Sequence, residues 1–251
     1  MTDVHSHILP MLDDGAASVQ MSIEMLKESK AKGIDTVVAT SHCYLRAEKD
    51  IDEFLDKREK SYNLLMQAIK SCGEPLPQIR LGCEVRIEND VSGFNGLEKL
   101  KIEGTDYILT EMPFGKWNTS VYDALYSMTL KGMKPIMAHI ERFFHHAKEF
   151  ENLQDIDLIY QVNAESMNGV FSKKAVPYLF KNGMINLIGS DMHNTTTRKQ
   201  CIGEAYDIIE KMYGGECCEY LKNNSELMLE NKDIDCYGFK KLGFFERKKN
   251  K

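Results

Sequence analysis

Lys181-Asn182-Gly183-Met184-Ile185-Asn186-Leu187-Ile188-Gly189, followed by Asp191, is the stretch that decides the fold. It reads as a helix end, a glycine free to take the left-handed C-cap, a short apolar strand and then a polar side chain. The same order recurs twice. Ala31-Lys32-Gly33 leads into Ile34-Asp35-Thr36-Val37-Val38-Ala39 and then His42. Leu130-Lys131-Gly132 leads into Met133-Lys134-Pro135-Ile136-Met137-Ala138 and then His139. Short apolar runs alternating with helices imply parallel strands joined by crossover helices.

Four further runs fit the scheme: Thr2 to Val4, Ile79 to Val85, Tyr107 to Thr110 (leading to Glu111) and Leu158 to Val162. Between them, Ser18 caps a helix whose Val19, Ile23 and Leu26 share one face. Phe54, Leu55, Tyr62, Leu65, Met66 and Ile69 make a second stripe, ended by Gly73, and Val121, Leu125 and Met128 a third. The count is about seven strand–helix units, so the expected fold is α/β, a single distorted (βα)7 barrel. In such barrels functional groups sit at the C-terminal ends of the strands. No linker divides the 251 residues, so residues 1–251 are expected as one domain with a short basic tail over 240–251.

The net charge of −6 argues against general nucleic-acid binding. No run of 18 or more apolar residues occurs, and the first strand starts too early for a cleavable leader, so a cytoplasmic location is expected. The cysteines, Cys43, Cys72, Cys83, Cys201, Cys217, Cys218 and Cys236, are odd in number and form no C-x-x-C, which points to reduced thiols. From Lys240 to Lys251 six basic residues stand against one acid, Glu246, with Phe239, Leu242, Phe244 and Phe245 interleaved. That segment reads as a solvated terminus, or as a weak, salt-sensitive contact with an anionic membrane or an acidic protein face.

Chemistry gathers at the strand ends. His5-Ser6-His7 and Asp191-Met192-His193 bracket the chain, and between them lie His42, Glu84, Glu111, His139 and either Asp14 or Asp13. Imidazole and carboxylate together suit Mn, Fe, Zn or Co. A buried set of carboxylates repels itself unless cations neutralise it, and four carboxylates with five imidazoles suit two or three divalent ions. Adjacent ions acidify a shared water and stabilise charge on phosphoryl oxygens, so no protein nucleophile is required. Arg142, three residues after His139, and Arg198, after His193, are the candidates for binding phosphate. A thiol mechanism would need H-C-x5-R, but His42-Cys43 is followed by Lys49 at the arginine position. Asp155-Ile156-Asp157 precedes its strand and reads as a turn rather than an aspartyl-phosphate site.

Asp3-Val4-His5-Ser6-His7-Ile8-Leu9-Pro10 and Asp13-Asp14-Gly15-Ala16 resemble the opening of the PHP (polymerase and histidinol phosphatase) superfamily. More narrowly, they resemble the bacterial capsule-type, manganese-dependent protein tyrosine phosphatases. Thr40-Ser41-His42, Gly82-Cys83-Glu84, Ala138-His139-Ile140-Glu141-Arg142 and Gly189-Ser190-Asp191-Met192-His193-Asn194 extend the resemblance over nearly the whole chain. It implies a distorted seven-stranded βα barrel holding three ions, most naturally Mn2+. One ion would take His5, His7, Glu84 and Asp191; a second would share Glu84 and take Glu111 and His139; the third would take Asp14, His42 and His193. It further implies Arg142 and Arg198 as phosphate-holding residues. The implied substrate is a tyrosine-phosphorylated protein, the tail of a membrane-associated bacterial kinase that controls exopolysaccharide export.

Three departures fall outside the ligand set: Phe143 stands where tyrosine is expected and could change the rim of the cleft, Lys199-Gln200 where prolines are common, and Asn224-Ser225 where Asn-Pro is usual. Two other functions fit the same residues. One is a small-molecule phosphomonoesterase acting on a compound such as histidinol phosphate. The other is a metal-stabilised module that binds a kinase without turnover.

Overall fold

Gly33, Gly132 and Gly183 have φ of 79°, 76° and 69°, the left-handed conformation that lets each end a helix and release a strand. In the computed structural model, which describes residues 1–87, 91, 93–153 and 155–241, nine strands and six α-helices follow one another. The first half holds β1 (Thr2–Ser6), α1 (Val19–Ala31), β2 (Thr36–Ala39), β3 (His42–Tyr44), α2 (Lys49–Cys72), β4 (Gln78–Leu81) and β5 (Glu84–Arg86). The second holds β6 (Tyr107–Glu111), α3 (Thr119–Leu130), β7 (Lys134–Met137), β8 (Ile159–Asn163), α4 (Ala175–Lys181), β9 (Leu187–Gly189), α5 (Ile202–Tyr213) and α6 (Gly215–Leu229). The Ser18 hydroxyl caps α1 by accepting from the Met21 amide at 3.2 Å, and the face that follows buries Ile23, Met25 and Leu26. Gly73, at φ 68°, ends α2.

The strand pairings are all parallel. They form a three-stranded sheet, β1-β2-β4, and a six-stranded sheet, β3-β5-β6-β7-β8-β9. The seven expected strand runs thus appear as nine strands divided between two sheets. The run expected over Ile79 to Val85 breaks at Gly82-Cys83, and the run before His42 breaks at Thr40-Ser41. At these bends the chain leaves the small sheet and enters the large one, with pairing carried across by Gly82 N to Ala39 O at 2.9 Å and Glu84 N to Thr40 O at 3.1 Å. The bends set His42 opposite Glu84 in the β3–β5 register. The first and last strands meet just beyond β9, where Asp191 N donates to His5 O at 2.8 Å and His7 N to Met192 O at 2.9 Å.

Val4, Val38, Leu109, Ile136, Ile159 and Leu187, from six different strands, form a buried cluster that Met228 of α6 joins. Burying each such side chain contributes about 1.5–3 kcal/mol. A larger apolar cluster includes Ile23 and Leu26 of α1, Leu65 of α2 and Leu125 of α3. The chain does not fray at Phe239 as a solvated terminus would. The Phe239 amide donates to Phe180 O at 2.7 Å, and its ring lies 5.1 Å from that of Tyr220. Residues 242–251, with Arg247, Lys248, Lys249 and Lys251, lie outside the described residues. Among the described residues no helix is long and apolar enough to cross a membrane.

Candidate metal centre

The strands deliver their polar side chains to one place. β1 carries His5 and runs on to His7, β3 and β5 begin with His42 and Glu84, and β6 ends on Glu111. His139 and Asp191 follow β7 and β9 in left-handed conformations, φ 34° and 53°. Non-glycine residues held there cost roughly 1–3 kcal/mol each, and such strain gathers at functional sites.

Three overlapping groups result. His5 Nε2 and His7 Nε2 are 3.1 Å apart. Glu84 Oε2 lies 3.4 and 3.5 Å from them, and Asp191 Oδ1 3.6 and 3.5 Å. The other Glu84 oxygen is 2.8 Å from His139 Nε2, which is 3.7 Å from Glu111 Oε1. Asp14 Oδ1 is 3.4 Å from both His42 Nε2 and His193 Nε2. Ligand atoms about 2.1 Å from one tetrahedral ion lie roughly 3.4 Å apart, so these separations suit shared cations. The nine positions thus lie together at one end of the strands. Close enough to share a cation are His7 with Asp14, His42 and His193; His5 with His7 and Glu84; and His42 with Glu84 and Glu111.

The donor set fits metal ions on a second ground. Glu84 Oε2, His42 Nδ1, His139 Nδ1 and His193 Nε2 are buried and make no hydrogen bond. His42 Nδ1 even lies 2.9 Å from Glu84 Oε2 without forming one. A buried polar atom left unpaired costs about 1–3 kcal/mol, and Glu84 Oε2 facing His42 Nδ1 in this state is what a cation site requires.

The charges strain against each other. Burial pushes the Glu84 carboxyl up, but the charge of His5 and the hydrogen bond with His139 hold it well below the usual range. Burial also pushes Glu111 up, aided by the negative charge of Glu84. Burial pulls His7 down, yet its hydrogen bond to Asp13 and the negative charges of Asp13 and Glu84 lift it to about 10. Burial and the charge of His7 take His193 down to about 4. Carboxylates and imidazoles buried together in this way form a charge set that divalent ions neutralise more completely than protons do.

Geometry separates the two adjacent aspartates. Asp13 turns inward, accepting from His7 Nδ1 at 2.7 Å and from the His42 amide at 2.9 Å. Asp14 faces His42 and His193 instead. Both arginines reach the site through Asp191: Arg142 Nη2 lies 2.6 Å from Oδ2 and Arg198 Nη2 2.7 Å from Oδ1. Phe143, expected at the rim, is fully buried. The 3-10 helix Ile140–His146 turns it inward against Trp117, 5.8 Å between rings. Exposed aromatics at the mouth are Tyr44, 5.5 Å from the His42 ring, and Phe114, under the Arg86 guanidinium at 5.1 Å.

Several contributors escaped the sequence reading. Gln161 and Asn163 of β8 are buried within the cluster. Asp3, also buried, accepts from the Ser190 hydroxyl at 2.6 Å and from Gln200 Nε2 at 2.8 Å, tying β1 to the turn before Asp191. Gln200 is thus a structural partner where relatives were expected to carry proline. Asn224 likewise donates to Asn186 O at 3.0 Å. A charged residue inside the first apolar run was the available signal for Asp3; nothing comparable marked Gln161.

Parallel sheets with imidazoles and carboxylates converging at the strand ends define an α/β protein with a candidate metal-binding site. The chain belongs to the CpsB/CapC family of capsular polysaccharide synthesis, whose profile matches residues 1–230. Tyrosine-protein phosphatase YwqE of Bacillus subtilis (strain 168) is 33% identical over 242 residues, 93% of each chain. Tyrosine-protein phosphatase CpsB of Streptococcus pneumoniae is 29% identical over 245 residues, 92% of this chain and 96% of its own. A solved structure matches with a TM-score of 0.78 and 30% identity, covering 97% of this chain and 100% of its own. It is described as one of the crystal structures of YwqE from Bacillus subtilis and CpsB from Streptococcus pneumoniae, "unique metal-dependent tyrosine phosphatases".

Proposed function

We propose that this protein is a metal-dependent tyrosine phosphatase of capsule or exopolysaccharide synthesis. The observation that carries the reading is the convergence of His5, His7, Glu84 and Asp191, with unpaired buried lone pairs beside them and two arginines leaning on Asp191. The relatives' names supply the reaction.

His5, His7, Asp14, His42, Glu84, Glu111, His139, Asp191 and His193 hold two or three divalent ions, Mn2+ being the expected metal. Bound ions supply an acidified water and positive charge for the phosphoryl group. Arg142 and Arg198 receive phosphate oxygens through their planar forks, released from Asp191 as substrate arrives. The exposed rings of Tyr44 and Phe114 beside the site favour an aryl ester over an aliphatic one. Cys43, beside His42, takes no part as a nucleophile, since its thiol is fully buried and pushed far up by Cys83 and by burial.

The substrate is the phosphorylated tail of a membrane-associated bacterial tyrosine kinase, met in the cytoplasm. The single family match over residues 1–230 supports one domain. The backbone contacts of β1 with the segment after β9, and the buried cluster drawn from six strands, support a distorted seven-unit barrel.

The deciding experiment measures phosphate release from a tyrosine-phosphorylated peptide, after chelation and after Mn, Fe or Zn is restored separately. Activity that vanishes with chelator and returns with metal is expected. Full activity in metal-free protein defeats the reading, and preference for histidinol phosphate moves it to the small-molecule alternative.

A further inference from the structure

β8, within the large sheet, brings no ligand-type side chain to the cluster, yet two of its amides lie inside it. Gln161 and Asn163 are both fully buried. Gln161 Oε1 accepts from the His139 backbone amide at 2.9 Å and lies 3.1 Å from His5 Nδ1. Gln161 Nε2 donates to Asn163 Oδ1 at 2.9 Å, and Asn163 Nδ2 donates to Asp191 Oδ2 at 2.7 Å.

Both ends of this chain are chemically unambiguous. The His139 N–H can only donate, and Asp191 Oδ2 also receives the donor-only Arg142 guanidinium at 2.6 Å, so it accepts. Neither amide can therefore be flipped, because a flip would place two donors or two acceptors face to face. With Oε1 fixed as the acceptor, His5 must carry its proton on Nδ1. Its Nε2 lone pair then points at Glu84 Oε2 and Asp191 Oδ1, 3.4 and 3.6 Å away.

We propose that Gln161 and Asn163 are positioning residues of the metal centre: one relay of amides sets the tautomer of His5, braces the strained backbone of His139 and turns one oxygen of Asp191 toward the ions. The sheet has closed around this relay. A Cβ on Gly189 would lie 2.5 Å from the His5 Cβ and 2.9 Å from Gln161 Nε2, so only glycine leaves room for the amide. His7 has a carboxylate, Asp13, on its Nδ1, whereas His5 has a neutral amide. The two imidazoles of one site thus differ in electron donation, with His7 the stronger donor.

This inference rests on the metal reading but not on the reaction, so its test uses no phosphate ester. Metal-free wild-type, Gln161→Leu and Gln161→Glu proteins are titrated with Zn2+ by calorimetry. The histidine ring nitrogens of the loaded proteins are then assigned by 15N NMR. Loss of an outer partner of a metal-bound histidine weakens binding by about 10- to 100-fold. Gln161→Leu should fall in that range, with His5 no longer locked with Nδ1 protonated. Gln161→Glu keeps an acceptor for His5 and His139 and should retain the tautomer, recovering part of the affinity. Wild-type affinity in Gln161→Leu overturns the proposal, as does an unprotonated Nδ1 on His5 in loaded wild type. If Gln161→Leu does not fold, the wild-type and Gln161→Glu spectra decide. Wild type that binds no Zn2+ or Mn2+ defeats the metal reading itself and the inference with it.

Discussion

Asp13 accepts a hydrogen bond from His7 Nδ1 across 2.7 Å, and that contact gives two neighbouring carboxylates different work. It holds the His7 ring so that Nε2 faces Glu84 and Asp191. Asp14, one residue on, reaches His42 and His193 directly.

Asp13→Asn should therefore keep the full number of ions per chain but bind them about 10- to 100-fold more weakly, the usual effect of losing an orienting partner. Asp14→Asn should lose one ion per chain. Elemental analysis gives the count and calorimetry the affinity. The reverse pattern would make Asp13 the ligand.

Arg142→Ala should retain its metals and lose turnover. A charge-assisted hydrogen bond is worth roughly 1.5–3 kcal/mol, or about 10- to 150-fold if expressed in the transition state. His139→Ala and Asp191→Ala should instead lose metal together with orders of magnitude of activity. Steady-state rates beside metal content separate the classes. If Arg142→Ala matches wild type, its contact with Asp191 is only structural and phosphate is held elsewhere, with Arg198 the next residue to test.

The site was legible because an apolar run ending in histidine or a carboxylate marks a strand and its polar tip together. His5, His42, Glu111, His139 and Asp191 all carry that mark. The helix-ending glycines were legible for a similar local reason. The bends at Thr40-Ser41 and Gly82-Cys83 were not, because the demand that His42 and Glu84 face each other across a sheet is tertiary. Gln161 was hidden by its chemistry: a neutral amide at the end of an apolar strand resembles an ordinary boundary residue. The order of Asp13 and Asp14 depends on how one loop folds over His7, and adjacent identical residues carry no pattern to choose between them.

Cys43→Ser should keep most activity, and alkylating reagents should leave the folded enzyme working. The thiol is 0% exposed, and Cys83 together with burial raises its pKa far above the working range, so the thiolate needed for attack is absent. The hydroxyl is a poorer core group, so a stability loss of about 1–3 kcal/mol is expected and is read from chemical denaturation. A folded Cys43→Ser protein without activity contradicts a metal-driven mechanism.

Metal should reverse the pH trend of stability. In the metal-free protein His7 is raised from 6.5 to about 10. Its contribution is complete below pH 6.5 and is lost as pH rises through about 10. Ions displace those protons, so their stabilisation grows over the same range. Free ion at 100 times its Kd adds about 2.7 kcal/mol, worth about 5–10 °C in Tm for a chain of this length. Melting curves with and without chelator across that window check it, and parallel curves would show that no ion replaces the His7 proton.

The basic tail should act on membrane contact and leave chemistry alone. Phe239 is fastened by its amide to Phe180 O and by its ring to Tyr220, so removing Lys240 to Lys251 leaves the anchor in place. Six basic residues lie beyond it, each worth about 1 kcal/mol near an anionic surface before screening. The acidic remainder of the chain opposes deep docking, so the association should be peripheral and should weaken with salt. The truncated protein should hydrolyse a small phosphotyrosine substrate at the full-length rate but sediment less with anionic vesicles at low ionic strength. Equal sedimentation of the two proteins would leave the tail as a solvated end.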